Sequence, residues 1–130
     1  MAGDMQCPLC SAAAATPFHA DKRRRYLCCE SCSLVFVPPA FFLSREAERA
    51  EYDLHRNAIG DPGYRAFLSR LAKPLLARLP PASRGLDFGC GPGPALAHML
   101  REAGHEVALY DSFYAPVPDV FDGRYDFICA

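Results

Sequence analysis

The chain has 130 residues, 51% apolar and 22% charged, with a formal net charge of −1. This composition is globular and excludes a disordered chain, and the near-neutral balance excludes a global field that draws nucleic acid. No apolar run reaches the roughly 18 residues of a membrane span and no signal peptide precedes the first cysteine, so a reducing cytoplasm is expected.

In that compartment seven cysteines point to metal or chemistry before disulfides. Residues 1–40 hold most of them. Cys7-Pro-Leu-Cys10 and Cys29-Glu-Ser-Cys32 are two C-x-x-C pairs with 18 residues between them. Each turn brings two thiolates to one ion, and two turns make the tetrahedral set that Zn²⁺ prefers. Iron in the same cage, or two disulfides, are the alternatives. Cys29 completes an ordinary knuckle and Cys28 is expected to pack, while His19 lies far from either pair. The span from Thr16 to Tyr26 is expected to form a hairpin arm, with Lys22-Arg23-Arg24-Arg25 at its solvated tip and binding to a phosphate or an acidic partner as the alternative. Metal binding would supply the folding energy of a segment poor in large apolar groups. Pro38-Pro39 ends it.

Residues 41–82 carry two helical patterns split by the turn signal "GDPG". In the second, Tyr64, Phe67, Leu68, Leu71, Leu75, Leu76 and Leu79 recur at intervals of three and four, as on one buried stripe. Pro74 is expected to kink or divide that helix, and Pro80-Pro81 to stop it.

From residue 83 the pattern alternates between strand and helix. "RGLDF" reads as a strand, "PALAHMLREAG" as a helix closed by Gly104, and "HEVALYD" as a second strand. "SFYAPVPDVFDGR" reads as loop with room for one very short strand, and "YDFICA" begins another strand. Strands with helices between them imply a mostly parallel sheet that needs covering on both faces. A chain that ends inside an apolar strand is expected to be cut from something longer.

The stretch "LDFGCGPG" is strand, tight turn and helix start. Gly89, Gly91 and Gly93 allow close backbone approach, so amide groups are expected to face a ligand at the helix start. Pro94 suits the first helical turn. Asp111, 22 residues after Gly89, is placed to accept the hydroxyls of a ribose. Here the third glycine comes one position earlier than in a pyrophosphate loop. Asp87 would repel phosphate but suit an ammonium group. S-adenosylmethionine has an α-ammonium, a ribose and no phosphate, so the set favours it over NAD. The alternative for Asp87 is that it merely ties down the turn. Cys90 lacks an adjacent histidine and reads as packing rather than nucleophile. His98 reads as structural or solvent-facing, and His105 as helping to close the helix.

On these residues, 64–130 resembles the N-terminal half of a class I S-adenosylmethionine-dependent methyltransferase. The resemblance implies that Asp87 and Gly89 lie near the methionine amino and carboxylate groups. It implies that Phe88, Cys90, Gly91 and Gly93 line the loop, and that Tyr110, Asp111 and Ser112 lie at the ribose. "YDFICA" matches the family's fourth strand, and the C-terminal half of the domain is implied as a missing part.

The segment "CPLC…YLCCESCSLVFVPP" is similar to the zinc ribbon that precedes this domain in many bacterial proteins. It departs from it in Ser33, where glycine is common, and in the extra Cys28. The linker also resembles the family's own, whose helix can cover the cofactor pocket. That makes Tyr52, His55 and Tyr64 pocket candidates, with plain helix packing as the alternative.

The fold class is therefore α/β: a partial, truncated Rossmann-like methyltransferase sheet preceded by helices and a small zinc ribbon. The expected domains are a ribbon over 1–40, a helical linker or cover over 41–82, and the half-domain over 83–130. The expected function is methyl transfer from S-adenosyl-L-methionine, with Zn²⁺ structural. The acceptor and any catalytic base are unnamed, and neither membrane nor nucleic acid is expected as a partner. The alternative functions are a nicotinamide-dependent oxidoreductase and a ribbon binding module on a non-catalytic scaffold.

Overall fold

The computed structural model describes residues 5–55 and 58–130. Residues 1–4 of the expected ribbon and 56–57 of the expected linker lie outside the described residues. The chain divides into two compact units, Met1–Glu48 and Arg49–Ala130.

The first unit is an antiparallel three-stranded sheet ordered β1-β2-β3, with β1 at Ala15–Ala20, β2 at Arg25–Cys29 and β3 at Val35–Phe36. The expected hairpin arm is the β1–β2 pair, and the basic run sits at its tip. Asp21 builds that turn: its carboxylate accepts the Arg23 and Arg24 N–H groups at 2.7 and 2.8 Å and the Tyr26 hydroxyl at 2.7 Å. The buried apolar set of this unit is Cys7, Leu27, Cys29 and Phe36. Helix α1, Arg45–Asp53, begins at Ser44, whose Oγ accepts the Ala47 N–H at 3.2 Å, and it crosses the boundary between the units.

The second unit is built on a parallel sheet ordered β5-β4-β6, with β4 at Arg84–Phe88, β5 at Glu106–Tyr110 and β6 at Phe127–Cys129. Helix α2 spans Pro62–Leu76. Its start is fixed by Asp61, whose carboxylate accepts the Tyr64 N–H at 2.8 Å, followed by Pro62, whose missing N–H is no loss there. Pro74 does not divide it. The proline forfeits its own bond to the Arg70 carbonyl, but it lies in the last turn with only two helical residues after it, so the break has little helix to divide and the helix runs on to Leu76.

The expected stripe of α2 is narrower than its periodicity suggests. Phe67 and Leu71 are exposed, and the fully buried residue is Ala72. Leu75 and Leu76 are half-buried and pack against the core of the unit, so the stripe contributes through its C-terminal end. Helix α3, Ala95–Glu102, is closed as expected by Gly104 at φ 94°. The segment between β5 and β6 holds no named strand. It makes one bridge, Asp111 to Ala115, and a 3-10 turn over Pro118–Asp122.

Register places Gly85, Val107 and Phe127 abreast, then Asp87, Leu109 and Cys129. Val107 and Cys129 pack with Ala97 and Leu100 of α3, with Leu75 and Leu76 of α2 alongside. Asp87 therefore lies on the helix-covered face. The opposite face carries Leu86, Ala108 and Ile128 in register, and Ile128 is 64% exposed.

Gly85 has a steric reason. A Cβ there would stand 2.1 Å from the Phe127 ring. Gly85→Ala is expected to destabilise the second unit by about 1–3 kcal/mol through overpacking, read as a lower urea midpoint at unchanged m-value. His105 ties helix to strand. Its N–H bonds the Leu100 carbonyl at 3.2 Å, and its buried Nδ1 accepts the Ser83 N–H at 3.0 Å. His105→Ala should cost about 1–3 kcal/mol by orphaning that amide, and His105→Asn, whose carbonyl can accept it, should recover part of the loss.

Candidate functional site

The Gly-rich loop leaves β4 at Phe88 and enters α3 at Ala95. Gly89 and Gly91 have φ of 79° and 69°, a region costly for any other residue, and a Cβ at either would meet nothing within 4 Å. The turn is thus sharp, with open space above it.

Its amides are mostly spent inside the protein. Gly89 and Cys90 both donate to the Tyr110 carbonyl, at 2.7 and 3.0 Å, and Gly91 donates to Asp111 Oδ2 at 2.9 Å. Pro92 and Pro94 have none to give. Gly93 is the loop residue left with an uncommitted N–H, among the described residues. The expectation that the loop amides face a ligand is therefore left to those at the helix start, and Gly89, Cys90 and Gly91 depart from it. The parallel pairing of Phe88 with Tyr110 brings the end of β5 under the loop, and β5 takes those amides.

Of the two acids, Asp111 does the turn-holding work expected as the alternative for Asp87. Asp111 is the residue that ties down the turn: Oδ2 holds Gly91, and Oδ1 accepts the Phe113 and Tyr114 N–H groups at 2.9 and 3.2 Å. Oδ1 is thus fully used by two donors, while Oδ2, with one, keeps acceptor capacity. Asp87 is 8% exposed, and among the described residues no hydrogen-bond donor reaches its carboxylate. Burial pushes its carboxyl above the ordinary carboxylate range; the Arg101 charge opposes this and the Asp111 charge adds to it.

Around this centre stand the other expected residues. Phe88 stacks on Tyr110 with ring centroids 5.4 Å apart, and Phe121 joins Tyr110 at 4.6 Å. Ser112 is exposed beside Asp111. Cys90 is half-buried, and its thiol is pushed up to about 11 by burial and then by the Asp87 and Asp111 charges, which disfavours a nucleophile. His98 is exposed and pairs with Glu102 at 3.2 Å. Of the three linker candidates, Tyr52 lies against Phe113 at 6.0 Å and His55 against Tyr52 at 6.1 Å. Tyr64 is half-buried at the start of α2. Sequence reasoning missed Tyr114, whose hydroxyl bonds Asp53 while Arg49 covers its ring at 5.4 Å. Only its position three residues after Asp111 hints at it.

A protein-family model described as a methyltransferase domain matches residues 61–130. The chain belongs to the methyltransferase-domain family. No curated protein matches the chain, and no solved structure does. The methyltransferase domain so delimited begins at the cap of α2 and takes in the whole parallel sheet, the loop and both acids.

The cysteines form a second centre, outside the methyltransferase domain. The Sγ atoms of Cys7, Cys10, Cys29 and Cys32 all lie within 4.8 Å of one another. Two Sγ pairs, Cys7–Cys32 and Cys10–Cys29, stand 3.6 Å apart and all four thiols are free. A zinc ion about 2.3 Å from each of four sulfurs would hold them about 3.8 Å apart, so the cage fits an ion and not disulfides. Cys29 is in the cluster and Cys28 is not; the Cys28 thiol instead reaches the Cys29 and Ser33 carbonyls at 3.8 Å.

The two knuckles repeat one backbone design. Cys7 and Cys29 each donate N–H to the carbonyl five residues on, at 2.9 Å. Ser11 and Ser33, both at φ 62°, donate back to the Cys7 and Cys29 carbonyls. Ser33 thus keeps the left-handed turn that glycine would make. The Cys10 N–H, chief among several local groups, holds the Cys7 thiol down to about 6, and the Cys32 N–H likewise lowers Cys29. Cys32 goes the other way: the Leu34 N–H lowers it, but burial and the neighbouring cage thiols push it up to about 12.

Proposed function

We propose that this protein binds S-adenosyl-L-methionine at the Gly-rich loop and transfers its methyl group to an acceptor, with Zn²⁺ bound by Cys7, Cys10, Cys29 and Cys32. The observation that supports the cofactor is a largely buried carboxylate, Asp87, whose oxygens keep solvent contact and accept no bond among the described residues, beside a loop whose Gly89, Cys90 and Gly91 amides are already spent. Such a loop offers little to a pyrophosphate, and Asp87 repels one. It offers much to a cation: an α-ammonium at Asp87 would supply the donor that carboxylate lacks.

When bound, the cofactor supplies an electrophilic methyl group on a sulfonium. The chain's part is to hold and orient it. Asp87 and Gly89 would take the amino-acid end, with Phe88, Cys90, Gly91 and Gly93 along the loop. Tyr110, Asp111 and Ser112 would take the ribose, where Asp111 Oδ2 has room to accept one hydroxyl while the bonds to Gly91, Phe113 and Tyr114 keep the carboxylate rigid. Positioning and exclusion of water are the main means of catalysis in such a transfer. The ribbon over 1–40, the linker or cover over 41–82 and the Rossmann-like part over 83–130 complete the reading, in a cytoplasmic protein.

Calorimetric titration with S-adenosylhomocysteine, with NAD as control, tests it. Saturable binding of the thioether compound alone is the expected result. Binding of NAD alone would overturn it in favour of a nicotinamide enzyme.

A further inference from the structure

The outer face of the cysteine-bearing sheet has features that neither the metal cage nor methyl transfer uses. The β1–β2 register slips between Pro17 and His19: Pro17 pairs with Leu27, and His19 with Tyr26. Phe18 is thus an extra residue, and the bulge sets Phe18 and His19 together opposite Tyr26. Leu27, next along β2, is buried in the core of the unit, so this trio lies on the other face. The His19 and Tyr26 rings are 5.8 Å apart, and Phe18 is 63% exposed.

The turn beside them is basic and prebuilt. Asp21 holds its backbone through Arg23 and Arg24, and holds the Tyr26 hydroxyl as well, so one acid fixes both the cationic turn and the aromatic ring. That work draws its carboxyl down to about 2, with the Tyr26 hydroxyl as the largest cause. Lys22, Arg23 and Arg25 are exposed, and among the described residues none of them forms an ion pair. The edge of β1 is poorly suited to adding a further strand, since Pro17 lacks an N–H and the bulge breaks the ladder. The face, not the edge, is available.

We propose that this face binds single-stranded nucleic acid, with phosphates on Lys22, Arg23 and Arg25 and a base stacked on Phe18 beside His19 and Tyr26. Cations alone would suit any polyanion. The exposed aromatic ring held next to them is what selects a strand with free bases, because stacking is indifferent to sequence but requires an unpaired base. A duplex keeps its bases stacked on one another. An acidic protein has no base to offer. The arrangement is hard to read from the primary order, because it depends on the bulge that sets Phe18 beside His19 opposite Tyr26 in the paired strands.

The test is fluorescence anisotropy with a labelled 20-mer of uridine, a labelled 20-base-pair duplex and labelled polyglutamate, titrated with the metal-loaded full chain. The single strand is expected to bind best, with log K falling against log salt at a slope of about −2, as three phosphate contacts imply. Phe18→Ala should weaken it about 5- to 100-fold, as loss of one stacked base does, and Phe18→Trp should restore it. Metal content of each variant, measured by elemental analysis, confirms that the fold is intact. Equal binding of polyglutamate would overturn the proposal in favour of an acidic protein partner. Equal binding of the duplex, an unchanged Phe18→Ala variant, or no saturable binding of the single strand would each overturn it as well.

Discussion

Cys29→Ser is expected to release the metal and unfold the first unit. The reason is the size of its core. Cys7, Leu27, Cys29 and Phe36 are its buried apolar residues, and two of those four are thiols of the cage. Without an ion, Leu27 and Phe36 would have to order a sheet of three short strands, which domains of this size seldom manage. A four-cysteine zinc site contributes on the order of 10 kcal/mol to folding, so losing one ligand removes most of what holds the strands together. Elemental analysis should show about one metal ion per chain in the parent and none in the variant. Amide signals of residues 7–36 should collapse into the narrow range of an unfolded chain. Cys28→Ser is the matched control, because Cys28 is adjacent in sequence yet outside the cage. The opposite pattern, with metal retained in the Cys29 variant and lost in the Cys28 variant, would move the ligand by one residue and refute the assignment.

That distinction shows how far the sequence can be read. C-x-x-C spacing is a local rule, so the cysteine quartet and the preference for Cys29 over Cys28 are legible in the amino-acid order alone. So is β4, because "RGLDF" ends on a turn signal. Other features depend on pairing across the chain. Whether loop amides are free depends on what lies beneath them, and that follows from Phe88 pairing with Tyr110. No local pattern states this register, so spacing alone assigns Asp111 to a ribose and misses its work on Gly91. The exposure of Phe67 and Leu71 has a similar cause. Periodicity marks which large residues share a face, while the deepest burial on α2 falls on Ala72, whose size hides it from such a pattern. The bulge at Phe18 likewise exists only as an offset between two strands.

Asp87→Asn is expected to stabilise the ligand-free protein while weakening S-adenosylhomocysteine about 10- to 100-fold. Burial raises the Asp87 carboxyl above its ordinary range, with Arg101 opposing and Asp111 adding. An acid whose folded pKa is raised favours the fold when protonated. Its contribution is full below the ordinary carboxylate value of about 4 and is lost as pH rises through the raised value. At neutral pH the ionised group therefore works against the fold. Asparagine removes the charge at nearly the same volume and should recover about 1–3 kcal/mol, seen as a higher melting temperature at pH 7 and little difference at pH 4. Binding runs the other way. An ammonium placed against an ionised, otherwise unpartnered carboxylate forms a charge-assisted bond of about 1.5–3 kcal/mol, which the amide does not replace. In the parent, affinity should accordingly fall as pH drops through the raised Asp87 value, and in the variant that dependence should vanish. Calorimetry across pH 4–8 on both proteins reads each limb. If Asp87→Asn lowers the melting temperature and leaves the Kd unchanged, then Asp87 serves the fold and the cation is held elsewhere.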